Sequence, residues 1–366
     1  MPSSLASTSP ADEADRVRDW LTSGLGLPAR FELEAITGGA SPRRFYRVRF
    51  EASARAPFAT PAIVMRVPPD TPDVAFARER GRRWPFLEVR ALLEARAVRV
   101  PKLLGEDCEA GFLLVEDLGP TLAEHLALHP GEREALYRSA VRELARAQVA
   151  LTPLPEDSVV SLRQFDEGLF RAELEHFWEW ALAARHVDTP RPPFQRAAEY
   201  VVRELCKLPR AFTHRDYQSR NLLVTAAEPR APAAARGPEL GWIDFQDALL
   251  GPRAYDLVAL LCDSYQPFSR AFVEARLDDY ARERAFDAAE RARLGREFDL
   301  ITLQRKLKDA GRFVFLEQRR GDASFLPFVG PTLAIVEDAL ARLDDVPELR
   351  DLPAVVRAAR AAAESA

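Results

Sequence analysis

Apolar positions recur at helical spacing between residues 12 and 23, through Val17, Trp20 and Leu21, so a helix is predicted to open the chain. From 31 to 67 the pattern changes to short alternating or β-branched runs, FELEAI, FYRVRF and AIVMRV, broken by Gly38, Gly39 and Pro57. That texture predicts an antiparallel sheet. Helical period returns over 84–97 through Phe86, Val89, Leu92 and Leu93, and VRVPKLLGED and GFLLVEDLG supply two further strands. Beyond Gly119 the spacing is almost wholly helical, over 121–128, 132–150, 163–186, 194–207, 254–265, 269–282, 287–319 and 330–342. One hairpin interrupts it, NLLV and LGWIDF, whose strands flank the Ala/Pro-rich stretch TAAEPRAPAAARGPE. The order predicts an α+β chain with a small antiparallel β-rich lobe over 1–118 and a large helical lobe over 119–366, joined by a connector from Glu116 to Pro120.

Composition narrows the classes. Apolar residues at 47% and charged residues at 29% fit a globular enzyme, and no run of about eighteen apolar residues suggests a membrane span. The N-terminus has neither a basic leader nor an apolar stretch, so a cytoplasmic protein is expected. A net charge of -5 counts against a chain that holds nucleic acid through its phosphates. The three cysteines, Cys108, Cys206 and Cys262, are widely spaced and read as reduced thiols. A monomer is expected.

The candidate chemistry lies between Phe212 and Phe245. His214, Arg215 and Asp216 are followed by Asn221, directly before an apolar strand, and then by Ile243, Asp244 and Phe245. Phosphoryl transfer needs a carboxylate to orient the acceptor hydroxyl and magnesium to bridge the nucleotide phosphates, and Asn and Asp oxygens suit that hard cation. Asp216 fits the first role, and Asn221 with Asp244 the second. Upstream, Gly38, Gly39, Ala40 and Ser41 lie between two predicted strands, where small residues let backbone amides approach phosphate oxygens; a plain β-turn is the alternative. No GxxxxGK[ST] run is present. In the helical lobe, Phe177, Trp178 and Trp180 include a possible sugar platform, with Glu173 or Glu179 bonding hydroxyls, although aromatics at this spacing commonly form core. His125 and His129 have metal-ligand spacing without a third ligand in the pattern.

GGASPRRFYRV, GFLLVEDLG, HRDYQSRNLLV, WIDFQDALLGPRAYDLVALL and LQRKLKDAGRF together resemble the aminoglycoside phosphotransferase family, and within it the bacterial anomeric kinases for N-acetylmuramate and N-acetylglucosamine. RAELEHFWEWALAARHV is similar to a helix of the same branch. The resemblance implies a protein-kinase-like fold whose two lobes clasp ATP and Mg2+, with Asp216 as base, Asn221 and Asp244 on metal, and the Gly38 to Ser41 loop over the phosphates. It also implies that Glu116, Asp117 and Leu118 pass adenine at the hinge through backbone atoms, that Gln218 lies near the transferred phosphate, and that Asp256 braces the catalytic loop; Glu173, Trp180, Gln218 and Gln246 are the candidate substrate residues. The strand position of the ATP-binding Lys of protein kinases is read here as Arg66, and its helix partner as Glu79 or Glu88. The expected activity is phosphorylation of the anomeric hydroxyl of an N-acetylated amino sugar. An aminoglycoside or other hydroxyl kinase of the same fold, or a weakly active nucleotide-binding regulator, are the alternatives.

Overall fold

The computed structural model describes residues 10–36, 42–51, 61–225 and 239–364. The predicted phosphate loop, Gly38, Gly39, Ala40 and Ser41, and all but the ends of the Ala/Pro-rich stretch lie outside these residues.

Strands β1 (Phe31–Ile36), β2 (Arg44–Phe50), β3 (Ala62–Arg66), β4 (Leu103–Asp107) and β5 (Phe112–Glu116) form one antiparallel sheet in the order β1-β2-β3-β5-β4. Because side chains alternate across a strand, the sheet has two apolar faces. Ala62 and Val64 of β3, with Tyr46, Val48, Phe112 and Leu114, pack on Val17, Trp20 and Leu21 of helix α1 (Pro10–Asp19) and the wide turn that follows it. Met65, Leu113 and Val115 face the other way, into the large core shared with α3 (Pro85–Ala95) and the helical lobe. Between β3 and α3 lies a helix, α2 (Pro72–Arg80), with Pro at its first position.

The helical lobe holds α4 (Leu122–Leu128), closed by a capping box from Thr121 and Glu124, then α5 (Arg133–Ala150), α6 (Glu167–Phe177) and α7 (Arg191–Lys207). Two small ribbons follow: β6 (Arg210–Thr213) pairs with β9 (Leu249–Pro252), and β7 (Leu222–Thr225) pairs with β8 (Glu239–Trp242). The chain ends with α8 (Tyr255–Leu261), α9 (Arg270–Glu283), α10 (Ala288–Arg320), α11 (Val329–Arg342) and α12 (Leu352–Glu364). At 33 residues α10 is the spine of the lobe, and its residues 297–307 are buried on every side. Gly311 lets it approach α6: a Cβ there would stand 2.8 Å from the His176 carbonyl oxygen. The segment Ala323–Arg342 is long and apolar enough to cross a membrane by composition, a feature the opening pattern does not single out. Here Val329, Leu333, Val336 and Leu340 pack in the core.

Candidate active site

The β6–β9 ribbon, which the hydrophobic pattern does not reveal, delivers the chain to the catalytic loop: β6 ends at Thr213, and His214, Arg215 and Asp216 follow at once. The loop is held from below. Asp256, fully buried on α8, accepts the backbone N–H of His214 at 2.7 Å and of Arg215 at 3.0 Å. Burial pushes its carboxyl up to about 7, against the pull of those two donors and of the Arg305 guanidinium. Arg215 adopts φ +77°, a conformation uncommon for a side-chain-bearing residue, and the two bonds to Asp256 hold it there. His214 is buried among Tyr217, Trp242 and Phe245, and that burial lowers it to about 4, so it is neutral packing within the loop.

Asp216 stands at the end of this turn with its side chain 45% exposed. Arg305 of α10 reaches it from below, Nη2 at 3.4 Å from Oδ1, while its Nη1 donates to the Arg215 carbonyl at 2.8 Å. Burial opposes ionisation of Asp216, but Arg305, Lys308 and Arg215 outweigh it and hold the carboxyl below its usual value. The same guanidinium therefore fixes the loop and keeps its carboxylate charged. Nothing in the opening pattern marks Arg305, because a charge in a helix buried all round carries no periodic signal. LQRKLKDAGRF was notable only by resemblance.

Asn221 and Asp244 meet at the mouth of the β7–β8 hairpin, where the Ile243 N–H donates to the Asn221 carbonyl at 3.0 Å. Asn221 spends its amide N–H on the Asp216 carbonyl at 2.8 Å, which leaves its side-chain oxygen as an acceptor. Strand β8 stops at Trp242, and Asp244 leaves it with φ +63°. Asp244 is thus not part of an apolar strand; the left-handed turn, which Asp tolerates better than most residues, takes the chain out of the strand directly after the Ile243–Asn221 contact. Burial raises the Asp244 carboxyl, the Gln246 amide opposes the rise, and Asp216 adds to it. A half-exposed carboxylate whose ionisation a neighbouring carboxylate opposes, on the turn that meets Asn221, is a donor set that fits Mg2+, which takes one or two protein oxygens and completes its shell with phosphates and water.

Other predicted residues are distributed unevenly. Glu173 lies beside the loop that carries Asp216: Gln304 donates to it at 2.6 Å, and Arg215 lies 3.6 Å from its other oxygen. Gln246 is 3% exposed and spends its amide on Asp244 at 2.9 Å, so its side chain orients the Asp244 carboxylate. Gln218 shapes the loop through its main chain, donating to the Asp216 carbonyl and accepting from the Asn221 N–H. Trp180 is a correction: it packs against Phe315 with ring centroids 5.0 Å apart, under Arg319. Ten residues of α-helix separate Phe315 from Arg305, about 15 Å, which removes Trp180 from the acceptor cleft and puts it in the α6–α10 packing. At the hinge, Glu116 is held bidentately by Arg99 and Asp117 by Arg47 at 2.6 Å. Their side chains are committed, so a base would meet main-chain atoms of Asp117 and Leu118, the latter buried at 7% exposure.

Arg66 is the clearest departure. It shares the outer face of the sheet with Val64, stacks on Phe112 at 5.1 Å, pairs with Glu13 of α1 and donates to the Val67 carbonyl at 2.5 Å. The β3 residue beside it on the inner face of the sheet is Met65, buried in the core. Alternation across the strand explains the error, since a one-residue slip moves a side chain to the opposite face. Arg66→Met is therefore expected to leave MgATP affinity within about twofold of the wild type and to cost roughly 1 kcal/mol of stability as Glu13 loses one partner; calorimetric titration and thermal unfolding check both. Neither proposed helix partner serves a strand Lys either: Glu88 is taken by Arg82 at 2.6 Å, and Glu79 is exposed.

Residues 32–294 match the model of the phosphotransferase enzyme family. The chain is 31% identical over 342 residues to an N-acetylmuramate/N-acetylglucosamine kinase of Pseudomonas aeruginosa, covering 91% of each chain. A protein of the same name from Neisseria meningitidis is 30% identical, with 85% of this chain and 86% of the relative covered. Among solved structures, Plasmodium vivax ethanolamine kinase superposes with a TM-score of 0.58 at 13% identity over 91% of each chain. An ADP-bound aminoglycoside phosphotransferase gives 0.52 at 15% identity over 88% of this chain and 96% of that one. These two likenesses are of fold, and the fold is protein-kinase-like.

Proposed function

The chain belongs to the phosphotransferase enzyme family, and on that premise we propose that it is an ATP-dependent kinase that phosphorylates the anomeric hydroxyl of N-acetylmuramate, N-acetylglucosamine or both. The observation that carries the reading is the convergence of Asp216, Asn221 and Asp244 around one loop and hairpin, in a chain whose Pseudomonas aeruginosa relative, matched over 91% of each chain, bears that name.

In the reaction the sugar hydroxyl is held against Asp216. Its oxygen forms a bond to the γ-phosphorus as the bond to the β-bridging oxygen breaks; the hydroxyl proton passes to the Asp216 carboxylate and ADP leaves. Asn221 and Asp244 would hold Mg2+, which when bound would supply the positive charge that offsets the phosphate oxygens. Asp216, held below its ordinary pKa by three cations, is a weak base, and an anomeric hydroxyl, more acidic than other sugar hydroxyls, is an acceptor such a base can serve. Catalysis then rests on positioning and charge stabilisation.

The electrostatics of the cleft favour a neutral or anionic sugar over a polycationic antibiotic. Of the cations on α10, Lys306 is buried and paired with Asp309 and Arg312 stacks on Phe315, whereas Arg305 and Lys308 act on Asp216. Lys308 lies one turn from the residues that hold Glu173 and Asp216, and its ammonium is kept charged, burial being outweighed by Tyr255, Glu173 and Asp309. The lactyl carboxylate of N-acetylmuramate is a suitable counter-ion for Lys308.

Phosphorus NMR of the products from free N-acetylglucosamine and N-acetylmuramate is expected to show a sugar 1-phosphate, and the methyl glycosides are expected to be inert. Phosphorylation of a methyl glycoside as fast as the free sugar would remove the anomeric claim and leave a kinase of another hydroxyl.

A further inference from the structure

The fold described above has no cation where protein kinases place their strand Lys: the β3 residue beside Arg66 on the inner face of the sheet is Met65, buried in the core, and Arg66 points away. Phosphoryl transfer still requires positive charge on the nucleotide phosphates beyond the metal. We propose that Arg43, held by Asp73, supplies it, so that an arginine entering β2 and a carboxylate on α2 replace the strand Lys and its helix glutamate.

Three observations carry this. Arg44 opens β2 opposite Arg66 and pairs with Glu13 on the outer face of the sheet. Arg43, one residue earlier, has the opposite parity and turns inward. There its guanidinium forms an ion pair with Asp73, both side chains being nearly buried, at 11% and 12% exposure. Its other terminal nitrogen lies 3.7 Å from Oδ1 of Asp244. That separation exceeds a hydrogen bond, so it is an electrostatic contact that can be exchanged for a better one.

Asp73 is fixed from both lobes. It sits in the first turn of α2, where the helix dipole favours a carboxylate. Phe76, three residues on, lies beneath the guanidinium of Arg163 at 4.3 Å, and Arg163 in turn donates to the Gln246 carbonyl at 2.9 Å. Helix α2 therefore bridges the nucleotide lobe to the segment that carries Asp244, and it brings Asp73 to Arg43. The planar guanidinium has two edges. One is held by Asp73; the other faces Asp244, where metal-bound phosphates must lie if Asp244 binds the metal.

The inference rests on the kinase reading, and its test separates the two. Calorimetric titration of the full chain with MgATP, MgADP and adenosine is compared for the wild type, Arg43→Met, Arg43→Lys and Asp73→Asn, each checked for folding by thermal unfolding. Arg43→Met is expected to weaken MgATP and MgADP by about tenfold to a hundredfold, the value of one charge-assisted contact, with adenosine unchanged. Arg43→Lys should recover part of the loss, and Asp73→Asn should show a smaller loss in the same direction. Unchanged MgATP affinity in Arg43→Met overturns the assignment while leaving the kinase standing, as does an equal loss of adenosine binding, which would report a disturbed lobe. A wild type that binds no MgATP overturns the assignment and the kinase reading together.

Discussion

Replacement of Asp216 by Asn is expected to leave MgATP binding intact and to lower kcat by about 10²- to 10⁴-fold, the contribution of a positioned proton acceptor. Asn preserves the volume of the side chain and an acceptor oxygen for Arg305, which in the wild type approaches Oδ1 at 3.4 Å; what it removes is the charge that receives the proton. The pH profile supplies a second readout. Because Arg305, Lys308 and Arg215 together outweigh burial and hold Asp216 below 3.8, its ionised form persists as the pH falls, and the acid limb of kcat should lie below that of an ordinary Asp. Near-normal turnover by a folded Asp216→Asn enzyme would take the residue out of the chemistry.

Asp256→Ala is expected to damage both stability and rate. The wild-type carboxylate satisfies the N–H groups of His214 and Arg215 with no exposure to water. Its removal strands two buried donors, each costing about 1–3 kcal/mol, and releases Arg215 from the left-handed conformation the loop requires. A displacement of Asp216 by about 1 Å is enough to cost roughly 10²-fold in rate. Thermal unfolding and turnover should fall together, while adenosine binding at the distant hinge survives. Asp256→Asn, which keeps one acceptor oxygen, should be milder on both measures. If Asp256→Ala unfolds at the wild-type temperature and turns over normally, the loop is braced by something else.

Legibility was uneven within single elements. The hairpin NLLV/LGWIDF was visible from its apolar runs and its loop, and the structure pairs Leu222 with Trp242 as those runs suggest. The β6–β9 ribbon was not, since each strand is four residues long, too short for alternation to show. Helix α2 was hidden for a related reason: PDVAFARER carries charges on several sides and little apolar contrast, and its helical state depends on Val74 and Ala77 meeting the core.

What the sequence determined by itself was the order of elements and the residue types of the proposed phosphoryl-transfer set. Periodicity reports which elements must bury a face, and Asp216, Asn221 and Asp244 occur at intervals that a catalytic loop and a hairpin impose. Only the tertiary structure decided direction and partnership. Strand parity sent Arg66 to α1 and Arg43 to Asp73; the packing of α10 on α6 and α8 brought Arg305 beneath Asp216 and left Trp180 in the core. Those outcomes depend on which face of each element meets which neighbour, a long-range property that local pattern does not carry, and a single step of register reverses it.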